Sequence, residues 1–340
     1  MCHGHMKEYK AIALFSGGLD SILAVKWMQS RGYTVHSIYF RAPYMEADRA
    51  ILSAKQNNIE LEVIDVSEEH IMLLDKPVYG FGKRLNPCID CHGFMFRKAA
   101  ELLVARDADY LISGEVLGQR PMSQRRDSLD SVAKLSGVKD LIVRPLSQAL
   151  LNDTLPIREG WVAKSDMLRF NGRGRTEQLN LAHKLGIKEY PHPAGGCLLT
   201  DRNYCLRLQD LIDSKELTLE NLELLSYGRH FRMGDGDTYK LIIGREEADN
   251  NALEGVFKNG YMLLAKDIMG PLGLIIGDNI TELDLRTAID LFLYYNTKAP
   301  EELTVQITKH KDGKQIGDMF ELVATKLNQE AIKQYRISYD

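Results

Sequence analysis

Near its N-terminus the chain reads Ser16-Gly17-Gly18-Leu19-Asp20-Ser21, between a short apolar run at residues 11–15 and an amphipathic stretch at residues 22–29. This pattern predicts a strand, a glycine turn and a helix. Adjacent glycines let the backbone approach an anion, and the N-terminus of the next helix offers free N–H groups and a positive dipole end. With hydroxyl donors from Ser16 and Ser21, the turn is typical of a phosphate-binding loop.

The loop differs from the phosphate loop of kinases, which reads GxxxxGK[ST] and places its lysine on the outer phosphates. Here no lysine follows directly on the glycines, and Asp20 stands where a Mg²⁺ ion could be held. The pattern SGGxDS resembles the pyrophosphatase loop of the PP-loop ATPases. The resemblance implies ATP binding, adenylation of a carbonyl-type oxygen at the α-phosphorus and release of pyrophosphate. By this resemblance, the residues that would bind the ATP phosphates and their Mg²⁺ ion are Ser16, Gly17, Gly18, Asp20 and Ser21.

The bulk properties fit a globular protein. A chain of 340 residues with 44% hydrophobic residues can form about two domains with sizeable cores. No apolar run approaches the roughly 18–20 residues that span a bilayer, and no signal peptide is expected, so we predict a cytoplasmic protein without membrane attachment. Because the net charge is −4, binding of a nucleic acid would depend on a local basic patch.

Strand-like and helix-like segments alternate in the first part of the chain. Apolar or alternating runs predict strands at residues 11–15, 35–40, 61–66, 110–113 and 141–143, with helices at residues 22–29, 47–56 and 94–106. This alternation predicts an α/β fold with a doubly wound, mainly parallel sheet that binds ligands at the carboxyl ends of its strands. Residues 147–176 show no helix or strand periodicity, which predicts a mobile insertion before a helix at residues 177–185.

Past residue 206 the pattern changes. Helix-like segments near residues 208–214 and 219–227 precede short strands at residues 239–243 and 261–265. This order predicts a smaller α+β domain.

The chain has five cysteines, an odd number that argues against a secreted disulfide framework and favours metal binding or redox chemistry. Cys2 lies in a His-containing N-terminal segment that reads either as a metal-binding tail or as a remnant of expression, and this segment is left out of the mechanism. Cys205 lies in a helix-like context and is predicted to be structural.

Cys88 and Cys91 form a CxxC pair just before a predicted helix, whose N-terminal dipole favours the thiolate. Cys197 lies far along the chain on a glycine-rich turn, and the sheet topology could bring it to the same edge. Three cysteines could hold three irons of a [4Fe-4S] cluster and leave the fourth iron open for sulfide. Two alternatives stay open: structural zinc, bound with His92 or His192, and a persulfide on Cys197 that is resolved as a disulfide. The interpretation that the three cysteines are only small buried residues ranks last.

A second motif, Ser113-Gly114-Glu115-Val116-Leu117-Gly118-Gln119 with Ser123-Gln124, follows the fourth predicted strand. A glycine turn there lets the backbone approach a base or ribose, and Glu115 or Gln119 can fix hydroxyl or amide edges. The motif resembles the TGExxGQxxSQ segment of the tRNA 4-thiouridine synthetases, with one extra residue before Ser123, and Arg144-Pro145-Leu146 matches the RPL that follows there. The resemblance implies that Gly114, Glu115 and Gln119 lie at the nucleotide site, and that Cys197 transfers sulfur.

The chain departs from those synthetases in ways that affect the sulfur source. We expect no N-terminal RNA-binding extension and no rhodanese-like domain, and the CxxC pair is similar to that of the iron-sulfur-dependent tRNA 2-thiouridine enzymes. Inorganic sulfide on a cluster is therefore preferred to a persulfide relay. In the C-terminal part, residues 228–232 and 243–250 resemble the small NFACT-R-type domain. Its glycine-arginine turns can grip a sugar-phosphate backbone or serve as ordinary surface turns.

By these resemblances we expect ATP-dependent thiolation of a tRNA uridine, with 4-thiouridine favoured over 2-thiouridine. A PP-loop ATP-binding and thiolation domain is expected at residues 7–205 and an NFACT-R-like domain at residues 206–340. The implied cofactors are ATP, Mg²⁺ and a [4Fe-4S] cluster, and catalytic roles fall to Asp20, Cys88, Cys91 and Cys197.

The implied partners are tRNA and sulfide or a sulfur-donor protein, with a homodimer as one option for the assembly. A PP-loop enzyme acting on a small molecule and a nucleotide-regulated RNA-binding protein are the alternatives. Several basic residues could contact phosphates or form a solvated surface: Arg120, Arg125, Arg126, Arg169, Arg173 and Arg175.

Overall fold

The computed structural model describes residues 7–191, 197–234, 238–277 and 280–337. The chain divides into two units, one up to Cys197 and one from Leu198 onward. Within the described ranges, no helix combines the length and the apolar character that crossing a bilayer requires.

The first unit is a parallel sheet with helices between its strands. The strands are β1 (Lys10–Leu14), β2 (Thr34–Arg41), β3 (Leu61–Asp65), β4 (Tyr110–Ser113) and β5 (Ile142–Val143). The helices are α1 (Leu19–Ser30), α2 (Asp48–Gln56), α3 (Ser67–His70), α4 (Cys88–Glu101), α5 (Arg126–Ser136), α6 (Leu155–Arg158) and α7 (Thr176–Lys184). Short 3₁₀ segments lie at Ile71–Leu74, Lys139–Leu141, Gln148–Leu150 and Lys164–Asp166.

The strand order is β3-β2-β1-β4-β5, and all neighbours run parallel. Ala11 of the central strand lies opposite Val35 of β2 on one side and Tyr110 of β4 on the other. The order reverses at β1, because the chain first adds strands on one side of it and then on the other. This confirms the doubly wound α/β fold and places a crevice at the carboxyl ends of β1 and β4.

The two faces of this sheet belong to different cores because successive side chains of a strand point to opposite sides. Ala11 and Ala13 pack with residues of α1 and α7, whereas Ile12, between them, packs with residues of α4 and α5. Both faces are therefore covered, as parallel strands require.

Two helices of the first unit differ from the sequence-based expectation. Helix α1 was expected to be amphipathic, yet it is buried almost all round because an irregular later segment covers its outer side, where Trp27 Nε1 donates to the Asp166 carbonyl at 2.6 Å. Helix α5 was missed, although its end is marked by Gly137 in the left-handed conformation at φ 74°.

Residues 147–176 are irregular, as expected, but they pack closely on the first unit. Val162, Met167 and Phe170 are buried in the same core as α1. Backbone hydrogen bonds join Leu168 N–H to the Pro145 carbonyl and Phe170 N–H to the Leu146 carbonyl, both at 2.8 Å. This packing argues against the mobile insertion that the sequence suggested.

The second unit is built on a six-stranded antiparallel sheet in the order β11-β10-β8-β9-β7-β6. Its strands are β6 (Arg229–Met233), β7 (Tyr239–Ile243), β8 (Gly260–Ala265), β9 (Gly273–Ile276), β10 (Glu302–Lys311) and β11 (Lys314–Thr325). Its helices are α8 (Arg202–Asp213), α9 (Leu219–Leu224), α10 (Glu247–Val256), α11 (Glu282–Tyr295) and α12 (Gln329–Lys333), after a 3₁₀ segment at Leu198–Thr200.

Helices cover both faces of this second sheet. Ile289 and Phe292 of α11 pack with one core cluster, and Leu253 of α10 packs with the other. The smaller α+β domain predicted for the C-terminal part is confirmed.

Candidate nucleotide and cysteine site

The glycine turn lies between β1 and α1, at the carboxyl edge of the parallel sheet. Gly17 has a φ of +76°, and a Cβ atom there would lie 2.7 Å from Ala50 Cα, so the position requires glycine. Gly18 is the N-cap of α1, and no side chain caps this helix. Ser21 Oγ donates to the Gly18 carbonyl at 2.8 Å and accepts from Ser16 Oγ at 3.3 Å. The turn therefore combines uncapped N–H groups with hydroxyls, which suits a bound phosphate.

Asp20, in the first turn of α1, faces residues from two later parts of the chain. Its Oδ2 atom accepts a hydrogen bond of 2.6 Å from Gln119 Nε2 and lies 3.7 Å from Arg175 Nη2. Its Oδ1 atom is buried, and no donor of the described residues bonds to it. Burial raises the pKa of Asp20, although Gln119 and Arg175 oppose the shift. One carboxylate oxygen is thus anchored by Gln119, while Oδ1 has no donor at hydrogen-bond distance among the described residues, although the Gln178 amide is near enough to help lower the pKa of Asp20.

The turn after β4 packs directly on the phosphate loop. A Cβ atom at Gly114 would lie 2.5 Å from the Asp20 carbonyl carbon and from the Ser21 nitrogen. Glycine is therefore needed here for close approach of two backbones. Since Gln119 from the same turn reaches Asp20, the structure brings together the two motifs that the sequence singled out.

Backbone hydrogen bonds close this turn and attach the basic segment, defined as residues 169–175. Gly118 N–H donates to the Gln124 carbonyl at 2.7 Å, so the extra residue of the motif is contained within a closed turn. Gly172 N–H donates to the Leu117 carbonyl at 2.7 Å, and Asn171 forms a parallel bridge with Leu117. The basic segment therefore lines the candidate nucleotide site.

The arginines of the basic segment have different environments. Arg169 and Arg173 are exposed, whereas Arg175 is half-buried beside Asp20. Exposed arginines also lie in and directly after the turn that follows β4: Arg120, Arg125 and Arg126. Several of the arginines that were predicted to contact phosphates therefore lie on the surface near the site.

Glu115 lies in the interior beneath the turn. Its Oε1 atom accepts from His92 Nδ1 and its Oε2 atom from Arg144 Nε, both at 2.8 Å. Burial alone would raise the pKa of Glu115, but Arg144 and His92 overcome this effect and lower the pKa to about 2. The carboxylate therefore ties helix α4 to the ends of β4 and β5, and it explains the arginine of the RPL match.

Cys88 and Cys91 occupy the first turn of α4, so the helix begins at the CxxC pair and not after it as predicted. Burial is the largest cause of a raised pKa at Cys91, and the nearby Cys197 and Cys88 thiols add to it. At Cys91 burial thus outweighs the helix dipole, which was expected to favour the thiolate. The described cysteines form no disulfide.

Two of the three thiols, those of Cys91 and Cys197, lie near the strand that neighbours the phosphate loop. Burial raises the pKa of Tyr39 in β2 to about 12, and Cys197 and Cys91 contribute to the shift. One residue earlier in β2, the Ile38 carbonyl accepts a hydrogen bond of 2.9 Å from Phe15 N–H, immediately before the loop. The cysteines and the phosphate loop therefore share one edge of the sheet.

Three polar residues around the cysteines were missed by sequence reasoning. His70 Nε2 lies 3.1 Å from Cys91 Sγ, and Tyr44 Oη lies 2.6 Å from His70 Nδ1. Asn86 Nδ2 donates to Cys88 Sγ at 3.1 Å. Burial lowers the pKa of His70 to about 4, so the imidazole is neutral near pH 7. Only Asn86 carried a sequence signal, because it directly precedes the Pro-Cys pair.

No three His, Cys, Asp or Glu side chains of the described ranges are arranged to hold a single metal ion. His92, considered as a zinc ligand, is hydrogen-bonded to Glu115. His192 and the N-terminal Cys2 lie outside the described residues.

In the second unit, the arginines of the glycine-arginine turns have different environments. Arg232 is buried and forms ion pairs of 2.7 Å with Asp210 and 2.8 Å with Glu216, so it stabilises the unit. Arg245 is exposed and pairs with Asp249 at 2.7 Å. Arg229 Cζ lies 4.9 Å from the centre of the Tyr295 ring, an arrangement typical of a cation–π contact.

Comparison with known families matches both units. Residues 7–153 match the family described as thiamine biosynthesis protein (ThiI), and residues 228–336 match the NFACT protein RNA binding domain. A probable tRNA sulfurtransferase of Caldanaerobacter subterraneus subsp. tengcongensis is 32% identical over 147 residues, which are 40% of this chain and 36% of that protein. The chain thus spans about a third of the length of this curated relative.

Other similar proteins are more distant. The tRNA-specific 2-thiouridylase MnmA of Oceanobacillus iheyensis is 22% identical over 303 residues, which are 77% of each chain. A solved 4-thiouridine synthetase–RNA complex with bound ATP is 20% identical, with a TM-score of 0.34, and the match covers 53% of this chain and 52% of that one. The chain therefore combines a ThiI-family PP-loop domain, matched over residues 7–153, with an NFACT-type RNA-binding domain, matched over residues 228–336.

Proposed function

We propose that this protein uses ATP to replace a uridine carbonyl oxygen of tRNA with sulfur, with 4-thiouridine as the favoured product. The observation that carries the proposal is the grouping of Cys91 with Cys88 and Cys197, and of Cys91 and Cys197 with Tyr39 in the strand next to the one that ends in the phosphate loop. Relatives named as tRNA sulfurtransferases and 2-thiouridylases support the substrate class. We assign the ATP and sulfur chemistry to the first unit, and RNA contact to the second unit and to the basic segment of the first.

The phosphates of ATP would bind at the glycine turn. Ser16, Gly17, Gly18 and Ser21 supply N–H and hydroxyl donors there, and Gly114 lets the turn after β4 pack against this loop, where it would meet the nucleoside. The unbonded Asp20 Oδ1 fits a Mg²⁺ ligand, since this ion is bound through one or two carboxylates together with substrate phosphates. Bound Mg²⁺ would neutralise charge on the departing pyrophosphate. Gln119 and Glu115 would act by positioning, the first on Asp20 and the second from beneath the turn.

The three cysteines fit a [4Fe-4S] cluster better than zinc. Zinc binds each cysteine sulfur at about 2.3 Å, so three ligands of one ion must lie within about 4 Å of one another. The described residues contain no such group, whereas in a cluster each cysteine binds a different iron and the sulfurs stand further apart. Held by Cys88, Cys91 and Cys197, the cluster would supply an iron without a protein ligand, where sulfide can bind.

The chemistry follows from the poor leaving ability of a carbonyl oxygen. The uridine oxygen attacks the α-phosphorus of ATP, the bond to pyrophosphate breaks, and the oxygen becomes part of a phosphate ester. A sulfur nucleophile then attacks the uridine carbon that bears this oxygen, and the C–O bond breaks as AMP leaves. Because the uridine must reach the edge of the sheet, the base has to leave its stack. Arg169 and Arg173 are exposed beside the site and would contact the RNA backbone.

The test is nucleoside mass spectrometry of unmodified tRNA incubated without oxygen with ATP, Mg²⁺, sulfide and the iron-reconstituted protein. The iron-free protein and a Cys205→Ser variant serve as controls, because Cys205 is buried and its thiol donates to the Leu199 carbonyl. We expect thiouridine only in the iron-containing samples, and the fragmentation pattern distinguishes 4-thiouridine from 2-thiouridine. Thiouridine formed by the iron-free protein with a persulfide donor would favour sulfur transfer through Cys197. Pyrophosphate release without tRNA and without thiouridine would point to a small-molecule substrate.

A further inference from the structure

The cysteine site has a buried hydrogen-bonded chain behind it that reaches from Tyr44 through His70 to Cys91. Tyr44 follows β2 and His70 ends α3, so both belong to the carboxyl ends of neighbouring strands. Only 1% of Tyr44 and 0% of His70 are exposed. The His70 ring also stacks edge-on against Phe94, with centroids 5.1 Å apart. The packing therefore holds the imidazole in one orientation, in which Nδ1 faces Tyr44 and Nε2 faces Cys91.

The partners determine which nitrogen carries the proton when Cys91 is a thiolate. A thiolate sulfur can only accept, so His70 Nε2 must carry the hydrogen that it shares with Cys91 Sγ over 3.1 Å. A neutral imidazole then has a bare Nδ1, which can accept the Tyr44 hydroxyl proton over 2.6 Å. Tyr44 Oη also lies 3.3 Å from the His70 carbonyl, a second acceptor for its proton, so the thiolate at Cys91 sets the direction of the chain.

We propose that Tyr44 and His70 are positioning residues for the sulfur site: Tyr44 fixes the Nε2–H tautomer of His70, and His70 donates a hydrogen bond to the Cys91 sulfur. This proposal deepens the proposed function and rests on it where the cluster is concerned. A hydrogen bond to a ligating sulfur withdraws electron density from the metal and stabilises the reduced cluster. Asn86 Nδ2 makes the corresponding contact with Cys88.

The first test uses the metal-free protein and does not depend on a cluster. In protein labelled with ¹⁵N-histidine, long-range proton–nitrogen correlation spectra distinguish the two neutral tautomers, and the His70 signals are those missing from His70→Phe. Because burial raises the pKa of Cys91, spectra are recorded from pH 8 upward until the Cys91 thiol has ionised. We expect a protonated Nε2 and a bare Nδ1 in the wild type once Cys91 is a thiolate, with mixed tautomers in Tyr44→Phe. A protonated Nδ1 that persists in the wild type after Cys91 has ionised would overturn the proposal.

The second test measures the reduction potential of the reconstituted protein by titration followed by electron paramagnetic resonance. We expect a more negative potential in His70→Phe and recovery toward the wild-type value in His70→Gln, whose amide can reach the position of Nε2. Phe94→Leu is the packing control, since it alters the ring contact but keeps the hydrogen bond, and its potential should match the wild type. Tyr44→Phe, the smaller change, replaces His70→Phe if that variant does not fold.

Equal potentials in the wild type and His70→Phe, with the cluster present in both, contradict the proposal. A wild type that takes up no iron contradicts the cluster of the proposed function instead. In that case the tautomer measurement still decides whether Tyr44 and His70 orient the Cys91 sulfur.

Discussion

Gln119 Nε2 donates a hydrogen bond of 2.6 Å to Asp20 Oδ2, across 99 positions of sequence. The contact joins the turn after the fourth strand to the first turn of the first helix, and it orients a carboxylate whose other oxygen has no bonded donor among the described residues. We expect Asp20→Asn to lower ATP-dependent pyrophosphate release by about 100-fold and Gln119→Ala by about tenfold, because the first removes the ion ligand and the second only its support. Steady-state pyrophosphate assays test this. Gln209→Ala, an exposed amide in the second unit, is the control. Equal effects of both site variants would mean that Gln119 contacts the nucleotide itself.

Gly114→Ala tests the close contact of the two motifs. The added Cβ atom would overlap the Asp20–Ser21 backbone at 2.5 Å, so we expect a loss of about 1–3 kcal/mol of unfolding free energy and weaker ATP binding. Urea denaturation and calorimetric titration with ATP measure the two effects. Gly174→Ala is the matched control, since a Cβ atom at Gly174 would meet nothing within 4 Å, and its stability should stay within about 0.5 kcal/mol of the wild type.

Glu115 makes stability depend on pH in the acid range. Its pKa falls from 4.5 to about 2 on folding, so its contribution is full above about pH 4.5 and disappears as the pH falls toward 2. The shift corresponds to about 3 kcal/mol. We expect Glu115→Gln to be less stable than the wild type by about that amount at pH 6, because Arg144 loses its buried partner, and the difference to shrink at pH 3. Denaturation midpoints at both pH values measure it, and a constant difference would mean that another group causes the acid sensitivity.

Serine variants of Cys88, Cys91 and Cys197 test the sulfur site. Each is expected to lose iron and the visible absorbance of the reconstituted protein together with thiouridine formation, since each would remove one of three thiolate ligands. Cys205→Ser should keep both properties, because Cys205 is buried in the second unit. Retention of the absorbance in Cys197→Ser with loss of thiouridine would instead indicate a persulfide on Cys197.

The exposed arginines of the basic segment should contribute to tRNA affinity through phosphates. For Arg173→Ala we expect weaker binding and a salt slope that is smaller by about 1, measured by filter binding across salt concentrations. Arg158→Ala is the control, because Arg158 is also exposed but is paired with Asp140 at 2.6 Å. Unchanged affinity and slope in Arg173→Ala would exclude this segment from the RNA interface. Arg175→Ala should in addition impair the ATP step, since Arg175 lies near Asp20.

The residue pattern alone was enough to predict the phosphate loop and the parallel sheet. Both are local features: adjacent glycines between an apolar run and a helix, and the alternation of buried strands with helices, depend on neighbours in sequence. The start of α4 was misplaced because Cys88 and Cys91 do not look helical until their packing is known. The irregular residues 147–176 looked mobile because their apolar side chains have no period, yet burial of Phe170 and its neighbours anchors them.

Only the tertiary structure decided which distant groups meet. The approach of Cys197 to Cys91, the burial of Glu115 between His92 and Arg144, and the contact of His70 with Cys91 all depend on chain segments brought together by the sheet order. A side chain such as His70 carries no signal in sequence because its role comes from two partners that lie 26 residues before it and 21 residues after it. The sequence thus specified the elements, while packing selected the polar partners that the site would use.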